Sequence, residues 1–207
     1  MAKLPEPPDR ATLQALGADL IPVPAGTRLW RLYFQGGTHP TTWSAFRHFG
    51  PVHARFDHHL SPPAMQHRGV LYLATAPLTC LAEVYQAARL IDRSAGMPAL
   101  VAFPLTRPLV LLNLAGLWPT RAGASMALST GQHARTQRWS AAIYDAFPSV
   151  DGLWYASSMC RNDPAMALYE RSYDARPHHP VFHRRLDAVE LDTVVRNAAA
   201  DLNYRLT

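Results

Sequence analysis

The sequence predicts an α+β fold, a single domain with a mixed, largely antiparallel sheet flanked by helices. Length is the first observation, because 207 residues correspond to about one domain. Composition is the second, because 48% apolar and 17% charged residues are typical of a chain that buries a sizeable core. The third is the order of the segments. Strand-like and helix-like stretches are mixed without strict alternation, which favours α+β over a regular βαβ arrangement.

Several classes of protein are excluded by simple features of the chain. Cys80 and Cys160 are the only cysteines, too few for a disulfide framework. The longest apolar run, Leu109–Trp118, is about half of the roughly 20 residues that span a bilayer. Prolines and acidic residues near the N-terminus stand where an export signal needs an apolar segment. We therefore expect a cytoplasmic protein with no membrane partner.

The net charge of +5 comes from 20 cationic residues, of which Lys3 is the only lysine. A GC-rich coding sequence explains part of this bias, since it raises Arg, Ala and Pro together, and the chain has 18 prolines. Arginine forks also suit bidentate recognition of phosphate or carboxylate, and both explanations stay open. The arginines form no run that would indicate a basic tail.

The first 27 residues form a proline-rich lead-in that we expect to pack on the main domain, residues 28–207. Within the lead-in, a short helical pattern covers Ala11–Leu20. Alternating residues rich in aromatics then predict a strand over Thr27–Phe34. Arg31 lies in the middle of this strand. Because an unpaired buried cation is costly, Arg31 requires an acidic partner or an anionic ligand.

A long loop, Gly36–Ser61, follows the first strand and contains a segment at Trp43–Phe49 that fits a short helix. Long loops in compact domains are often functional. Val70–Thr75 is typical of a strand, and a helix is predicted over Pro77–Ile91, with proline suited to its first position. Glu83 lies beside the apolar face of this helix. The remaining predicted elements are the strands Ala99–Leu105, Leu109–Leu114, Gly152–Ser157 and Ala167–Arg171 and the helices Gln132–Phe147 and Leu186–Leu206.

Four polar residues occur within otherwise apolar strands or helices, namely Arg31, Tyr72, Glu83 and Ser157. Each alone has an ordinary structural explanation, such as a buried ion pair between Arg31 and Glu83 or a satisfied core hydroxyl. Together with Arg55 in the long loop they form an ordered series.

This series resembles the RES-domain family, which takes its name from an Arg, a Glu and a Ser. The resemblance is carried by LWRLYF, RGVLYLATAPLTCLAEV and DGLWYAS, and it covers about Leu29–Arg171. The three name-giving residues correspond to Arg31, Glu83 and Ser157. The resemblance implies a fold similar to diphtheria-toxin-like ADP-ribosyltransferases, NAD+ as a consumed substrate, and toxin activity in a bacterial type II toxin–antitoxin pair.

The implied chemistry is cleavage of the bond between nicotinamide and ribose, which passes through a cation-like ribosyl group. A fixed carboxylate beside that group is stabilising, and Glu83 is the candidate. Glu83 must be ionised for this, which a neighbouring arginine favours. The pyrophosphate carries two negative charges, and Arg31 and Arg55 offer forks for it.

Three further residues complete the expected site. Tyr72 has a flat face on which nicotinamide can stack. Ser157 is expected to hydrogen-bond the ribose or to orient Glu83, and His58, close to Arg55 in sequence, is expected to contact the substrate. The chain has no G-x-G-x-x-G stretch, which excludes a Rossmann mode of NAD+ binding and agrees with a substrate that is consumed.

The chain departs from the family pattern around the expected substrate. Its loop has His53-Ala54-Arg55-Phe56-Asp57, where the family usually has a Gly pair before the Arg and an Asn after the aromatic. Leu32 follows Arg31 where some relatives have Tyr, and a proline-rich insertion, Leu60–His67, precedes the Tyr72 strand. These differences bear on the acceptor and on the details of NAD+ contact.

Two reactions are open within the family, whose members either transfer ADP-ribose to a protein, including an enzyme of nucleotide synthesis, or destroy NAD+ by hydrolysis or phosphorolysis. We predict transfer to a cellular protein, with hydrolysis or phosphorolysis as the alternative, because one pocket delivers ADP-ribose to whichever nucleophile reaches it. The resemblance also implies a partner. This is a co-encoded antitoxin that is helical, has a DNA-binding half and blocks the NAD+ cleft.

Two other kinds of site are weighed against this interpretation. A basic module that binds nucleic acid is the non-enzymatic alternative, but the arginines are scattered and no recognition motif is present, so we expect no direct binding. The histidine-rich segments Asp57-His58-His59 and His178–His183 lack the spacing of zinc ligands, so we expect no metal.

Overall fold

One large β-sheet forms the centre of the fold in the computed structural model, which describes residues 4–125 and 127–207. The strands of this sheet are β1 (Leu20–Val23), β2 (Arg28–Phe34), β3 (Arg47–Gly50), β4 (Ala64–Ala74), β6 (Pro98–Pro104), β7 (Leu109–Asn113), β8 (Gly152–Ala156), β9 (Pro164–Tyr169) and β10 (Phe182–Arg185). Their spatial order is β1-β7-β8-β9-β4-β2-β6-β10, and β3 pairs with β4. Two short strands, β5 (Leu90–Ile91) and β11 (Arg205–Leu206), form a separate parallel pair.

The helices lie between and after these strands. They are α1 (Arg10–Leu16), α2 (Pro77–Tyr85), α3 (Trp118–Arg121), α4 (Ala127–Thr130), α5 (His133–Ala146) and α6 (Asp192–Leu202), with 3-10 turns at Glu170–Ala175 and Val189–Leu191. The described part of the chain contains no helix suited in length and hydropathy to a transmembrane span.

Antiparallel pairing dominates the large sheet. Among the described residues, each neighbouring pair of its strands is antiparallel except β7 and β8, which are parallel. A parallel pair needs a long crossover connection, and here the chain passes through α3, α4 and α5 between the two strands. The predicted fold class, α+β with a mixed, largely antiparallel sheet flanked by helices, is confirmed.

Two helical layers bury the core against the sheet. Leu13 of α1, Trp118 of α3 and Trp139 of α5 are fully buried in one cluster, which includes strand residues of β7 and β8. Leu81 of α2 and Val195 of α6 belong to a second cluster on β2 and β6. Burying a large apolar side chain contributes about 1.5–3 kcal/mol, so these helices are held mainly by their apolar faces.

Two helices are shorter than predicted. The helix predicted over Pro77–Ile91 ends at Tyr85, and Arg89 has a positive φ of 47°, a conformation that cannot continue a helix. The helix predicted over Leu186–Leu206 is confined to α6 and ends at Asn203, whose φ of 52° makes a left-handed cap. In both cases the predicted end of the helix is instead a strand of the β5–β11 pair.

The short helix predicted at Trp43–Phe49 is wrong, since residues 43–46 are a turn followed by irregular backbone. Arg47–Gly50 is strand β3, which pairs with β4 across a register shift. The reason is that β4 begins at Ala64, well before the predicted start at Val70, and supplies a partner strand. Part of the Leu60–His67 insertion is therefore an extension of the sheet.

The first part of the chain contributes a strand as well as a helix. Helix α1 begins after Asp9, whose carboxylate accepts a hydrogen bond from the Thr12 N–H at 2.8 Å, and ends at Gly17 with a φ of 76°. The sequence pattern predicted helix as far as Leu20, but β1 begins there and pairs with β7 at the edge of the sheet.

Candidate active site

A cavity of about 700 Å³ is lined by β2, β4, β8, α2, the loop after β3 and the start of α5. Of the six residues predicted for the site, the cavity is lined by Arg31, Arg55, Tyr72 and Glu83. These four come from different elements far apart in sequence, and the fold brings them into one space. The walls combine cationic, aromatic and apolar side chains, which is typical of a site for an organic anion.

Glu83 is held by Ser157. The Ser157 hydroxyl donates a hydrogen bond to Glu83 Oε1 at 2.5 Å and accepts one from the Met159 N–H at 3.3 Å. Ser157 is fully buried and does not line the cavity, whereas Glu83 does. Of the two roles predicted for Ser157, this geometry is that of a residue that orients the carboxylate.

The two elements that carry this pair are fixed by their own packing. Glu83 lies in α2, which begins at Pro77 and is anchored by the fully buried Leu81. Ser157 follows directly on β8, and its N–H donates to the Asp163 carbonyl at 3.0 Å, which closes the turn between β8 and β9. These two fixed elements therefore hold the Glu83 carboxylate and the Ser157 hydroxyl within hydrogen-bonding distance.

Arg31 is not paired with Glu83, the simple structural explanation considered for it. Its Nη1 donates instead to the carbonyls of Thr42, Trp43 and Ala45 at 3.0, 2.7 and 3.2 Å. Burial lowers the pKa of Arg31 to about 10, so the group stays charged at neutral pH. The three bonds all use Nη1, and Nε and Nη2 are not committed to them. Arg31 thus supplies a positioned positive charge at the cavity wall.

Arg55 reaches the cavity from the loop after β3. Its Nη1 donates to the Gly131 carbonyl at 2.7 Å, just before α5. Burial lowers the pKa of Arg55, and the attraction of the Glu83 carboxylate opposes that shift. Arg55 is therefore the cation that acts electrostatically on Glu83.

The loop that carries Arg55 is held by Asp57, which is fully buried. Burial alone would raise the pKa of Asp57, but hydrogen bonds from the His59 ring and the Val52 N–H, and the charge of Arg47, lower it to about 2. The Arg47 Nη2 atom lies 2.9 Å from Asp57 Oδ2. Arg47 also lines the cavity, and sequence reasoning missed it because its segment was predicted as helix.

Two tyrosines form an aromatic wall. Tyr72 lines the cavity as predicted, and its buried hydroxyl has no hydrogen-bond partner among the described residues. Tyr155 of β8 lines it too, with its ring 4.5 Å from that of Phe56. Burial, and next the charge of Glu83, raise the pKa of Tyr155 well above its usual range, so the phenol stays neutral. Tyr155 was assigned no role from the sequence, although it lies in the DGLWYAS motif.

His58, predicted to contact the substrate, does not line the cavity. Its side chain is fully buried, stacked on Tyr144 with 4.5 Å between ring centroids and edge-on to Tyr169 at 4.7 Å. Its Nε2 lies 3.8 Å from a Glu170 oxygen. The prediction relied on proximity to Arg55 in sequence, but the chain turns between the two residues and His58 packs into the core.

Three other histidines do line the cavity, His39, His53 and His133. His53 lies in the loop at one of the positions where the chain departs from the family pattern, and that departure was the available signal. His133 is the first residue of α5 and had no signal in the sequence. Among residues 4–125 and 127–207, no three side chains of His, Cys, Asp or Glu are grouped so that they could hold a metal ion.

The fold and the cavity define an α+β domain in which an oriented carboxylate and several arginines share one ligand-sized space. The particular family follows from comparison with known proteins. The RES domain family model matches residues 28–193, and the chain belongs to this family. The resemblance drawn from Arg31, Glu83 and Ser157 is thereby confirmed at the level of the family.

Comparison with solved structures gives the same fold. A chain from the crystal structure of the M. tuberculosis MbcT–MbcA toxin–antitoxin complex superposes with a TM-score of 0.59 at 16% sequence identity. The match covers 92% of this chain and 96% of that one. A search of curated proteins finds no match. At such low identity the structural likeness concerns the fold alone.

Proposed function

We propose that this protein is the toxin of a type II toxin–antitoxin pair and that it consumes NAD+, transferring ADP-ribose to a cellular protein. The observation that carries the proposal is the Glu83 carboxylate, held by the buried Ser157 hydroxyl at 2.5 Å and exposed to a cavity that arginines line. A carboxylate positioned in advance is what a cation-like ribosyl transition state requires. Membership of the RES domain family supports the same reaction class.

NAD+ is placed by charge and by ring stacking. Its pyrophosphate is drawn to Arg31 and Arg55, which supply fork-shaped donors on the cavity wall. Its nicotinamide is stacked against the aromatic wall of Tyr72, beside Tyr155. This leaves the nicotinamide ribose, which joins nicotinamide to the pyrophosphate, next to Glu83.

Bond cleavage then proceeds at the ribose carbon that carries nicotinamide. The carbon–nitrogen bond breaks, and its electron pair leaves with nicotinamide. The positive charge that develops on the ribose is stabilised by the Glu83 carboxylate. An acceptor nucleophile forms the new bond to the same carbon and loses a proton. Hydrolysis or phosphorolysis is the same sequence with water or phosphate as acceptor.

An antitoxin partner belongs to the same proposal, because an NAD+-consuming enzyme in the cytoplasm must be restrained. The M. tuberculosis relative was crystallised as a toxin–antitoxin complex. We propose a helical antitoxin with a DNA-binding half that blocks the cavity, its acidic groups meeting the arginine-rich surface. The product of the adjacent gene should co-purify with this chain, and failure to bind it would remove this part of the proposal.

The reaction is tested with purified protein, freed of antitoxin, incubated with a cell lysate and NAD+ labelled on its adenylate part. Free NAD+ and labelled protein bands are followed together. We expect a discrete labelled band. Loss of NAD+ without a band would favour hydrolysis or phosphorolysis, and no change in either would contradict an NAD+-consuming enzyme and favour a nucleic-acid-binding module.

Ser157→Ala is expected to lower kcat for NAD+ cleavage roughly 10- to 100-fold, the effect of losing one hydrogen bond to a charged group. KM should change little, because Ser157 is fully buried and does not line the cavity. Ser149→Ala is the matched control, since Ser149 is exposed and does not line the cavity. A large rise in KM with an unchanged kcat in Ser157→Ala would instead indicate direct contact with the substrate.

A further inference from the structure

An imidazole pair stands beside Arg55 at one end of the cavity. The rings of His53 and His133 lie 4.3 Å apart between centroids, and both line the cavity. His133 Nδ1 is buried and has no hydrogen-bond partner among the described residues. A buried ring nitrogen without a partner is costly unless a ligand occupies it. The proposed transfer reaction does not use His53 or His133.

Two sets of hydrogen bonds between the loop after β3 and the start of α5 hold the His53–His133 pair in place. Gln137, one turn after His133, donates from its side-chain amide to the carbonyls of Val52 and Ala54 at 2.6 and 2.8 Å. These two carbonyls flank His53 on either side. The second contact is the hydrogen bond that Arg55 donates to the Gly131 carbonyl, just before α5. His53, His133 and Arg55 therefore form a preorganised group.

This group is electropositive, and it adjoins the uncapped start of a long helix. Gln132, the residue before α5, makes no side-chain capping hydrogen bond, so the positive end of the helix dipole adds to the charge of Arg55. Burial, followed by repulsion from Arg55 and from His53, lowers the pKa of His133. Arg31, Arg47 and Glu83 are the other charged groups among the residues that line the cavity. Positive charge therefore predominates around His53, His133 and Arg55.

We propose that His53, His133 and Arg55 together form a phosphoryl-binding subsite of the cavity. The inference rests on the proposed function and deepens it. It adds two residues to the recognition of the dinucleotide. The phosphoryl group is either the pyrophosphate of NAD+ or free phosphate acting as acceptor, and both carry the oxygen acceptors that imidazole N–H and guanidinium donors recognise.

Proton uptake accompanies binding at such a subsite. A bound phosphoryl group supplies the negative charge that favours protonated His133, so its pKa is higher in the complex than in the empty protein. Affinity for the anion therefore increases as pH falls through the interval between those two values. A shift of one pKa unit corresponds to about a tenfold change in affinity.

The test is calorimetric titration with ADP-ribose, whose pyrophosphate does not titrate near neutrality, at pH 6 and pH 8. We expect wild-type protein to bind roughly tenfold more tightly at pH 6. His133→Gln and His53→Gln should weaken binding at pH 6, and His133→Gln should also reduce the pH dependence. His67→Gln, an exposed histidine outside the cavity, is the matched control and should bind as wild type does.

Titration of inorganic phosphate at pH 6 into protein saturated with ADP-ribose separates the two sources. Displacement of ADP-ribose identifies the pyrophosphate as the occupant. Binding alongside ADP-ribose, lost in His133→Gln, identifies free phosphate. If neither ligand depends on His53 or His133 while wild-type protein binds ADP-ribose, the subsite is wrong and the proposed function stands. If wild-type protein binds no ADP-ribose, the subsite and the proposed function both fail.

Discussion

Glu83→Gln is expected to lower the rate of NAD+ cleavage by roughly 10²- to 10³-fold, the usual loss when one electrostatic stabiliser of a transition state is removed. The amide has the shape of the carboxylate and still accepts the Ser157 hydrogen bond, so the change removes charge and leaves the packing of α2 intact. Growth inhibition should disappear with turnover. NAD+ consumption by the purified variant, and growth of cells that express it without antitoxin, are the two measurements.

Glu190→Gln is the matched control for this experiment, because Glu190 is exposed and lies far along the chain in the 3-10 turn before α6. It should leave turnover and toxicity unchanged. A folded Glu83→Gln protein that cleaved NAD+ at the wild-type rate would show that the carboxylate does not stabilise the transition state. The proposed mechanism would then be abandoned, whatever the reaction product.

Stability is expected to fall by roughly 2 kcal/mol between pH 7 and pH 5 because His58 is buried in neutral form. Burial, opposed by the Glu170 carboxylate, lowers the pKa of His58 from 6.5 to about 4. A group whose pKa is lower in the folded state stabilises the fold above its unfolded pKa, and this stability is lost as pH falls. The unfolded chain takes up the proton from about pH 6.5 downward, and the folded protein only near pH 4.

His58→Phe tests the origin of this pH dependence. Phe keeps a ring against Tyr144 and Tyr169 but cannot titrate. The free energy of unfolding, measured by urea denaturation at several pH values, should lose most of its slope between pH 7 and pH 5 in the variant. His48→Phe, at a half-buried histidine whose Nδ1 lies 3.1 Å from the Arg68 carbonyl oxygen, is the comparison and should keep the slope. An unchanged slope in His58→Phe would show that other groups carry it.

Sequence patterns predicted well those elements in which regularly spaced residues bury one face. The strand around Arg31 and the helix α5 were predicted to within one residue at each end, because alternation and helical periodicity reflect a single buried face. The strand around Tyr72 was predicted at its end but not at its start. The edge strands β1, β3 and β10 were missed. Each is short and half-exposed, and each becomes a strand only because a partner from a distant part of the chain provides its hydrogen bonds.

The residues of the candidate site likewise differ in whether local sequence patterns could single them out. Arg31, Tyr72 and Glu83 could be singled out because a polar residue is conspicuous within an apolar strand or helix, and Ser157 because it completes a motif. His53 and His133 could not be paired from the sequence, since 80 positions separate them and they meet because hydrogen bonds of Gln137 and Arg55 hold the loop against the start of α5. His58 was misplaced for the opposite reason. An irregular loop has no periodicity from which to infer the direction of a side chain.

Local patterning was therefore sufficient for the fold class, and the resemblance of short motifs to the RES-domain family pointed to the family and to Arg31, Glu83 and Ser157. Tertiary structure alone established that Ser157 contacts Glu83 from outside the cavity, that Arg31 is bound by backbone carbonyls, and that His58 belongs to the core. The physical reason is that periodicity and composition report on burial, which is a property of single segments. A hydrogen bond between two side chains depends on how segments distant in sequence are placed together, and that placement is a property of the whole packed chain.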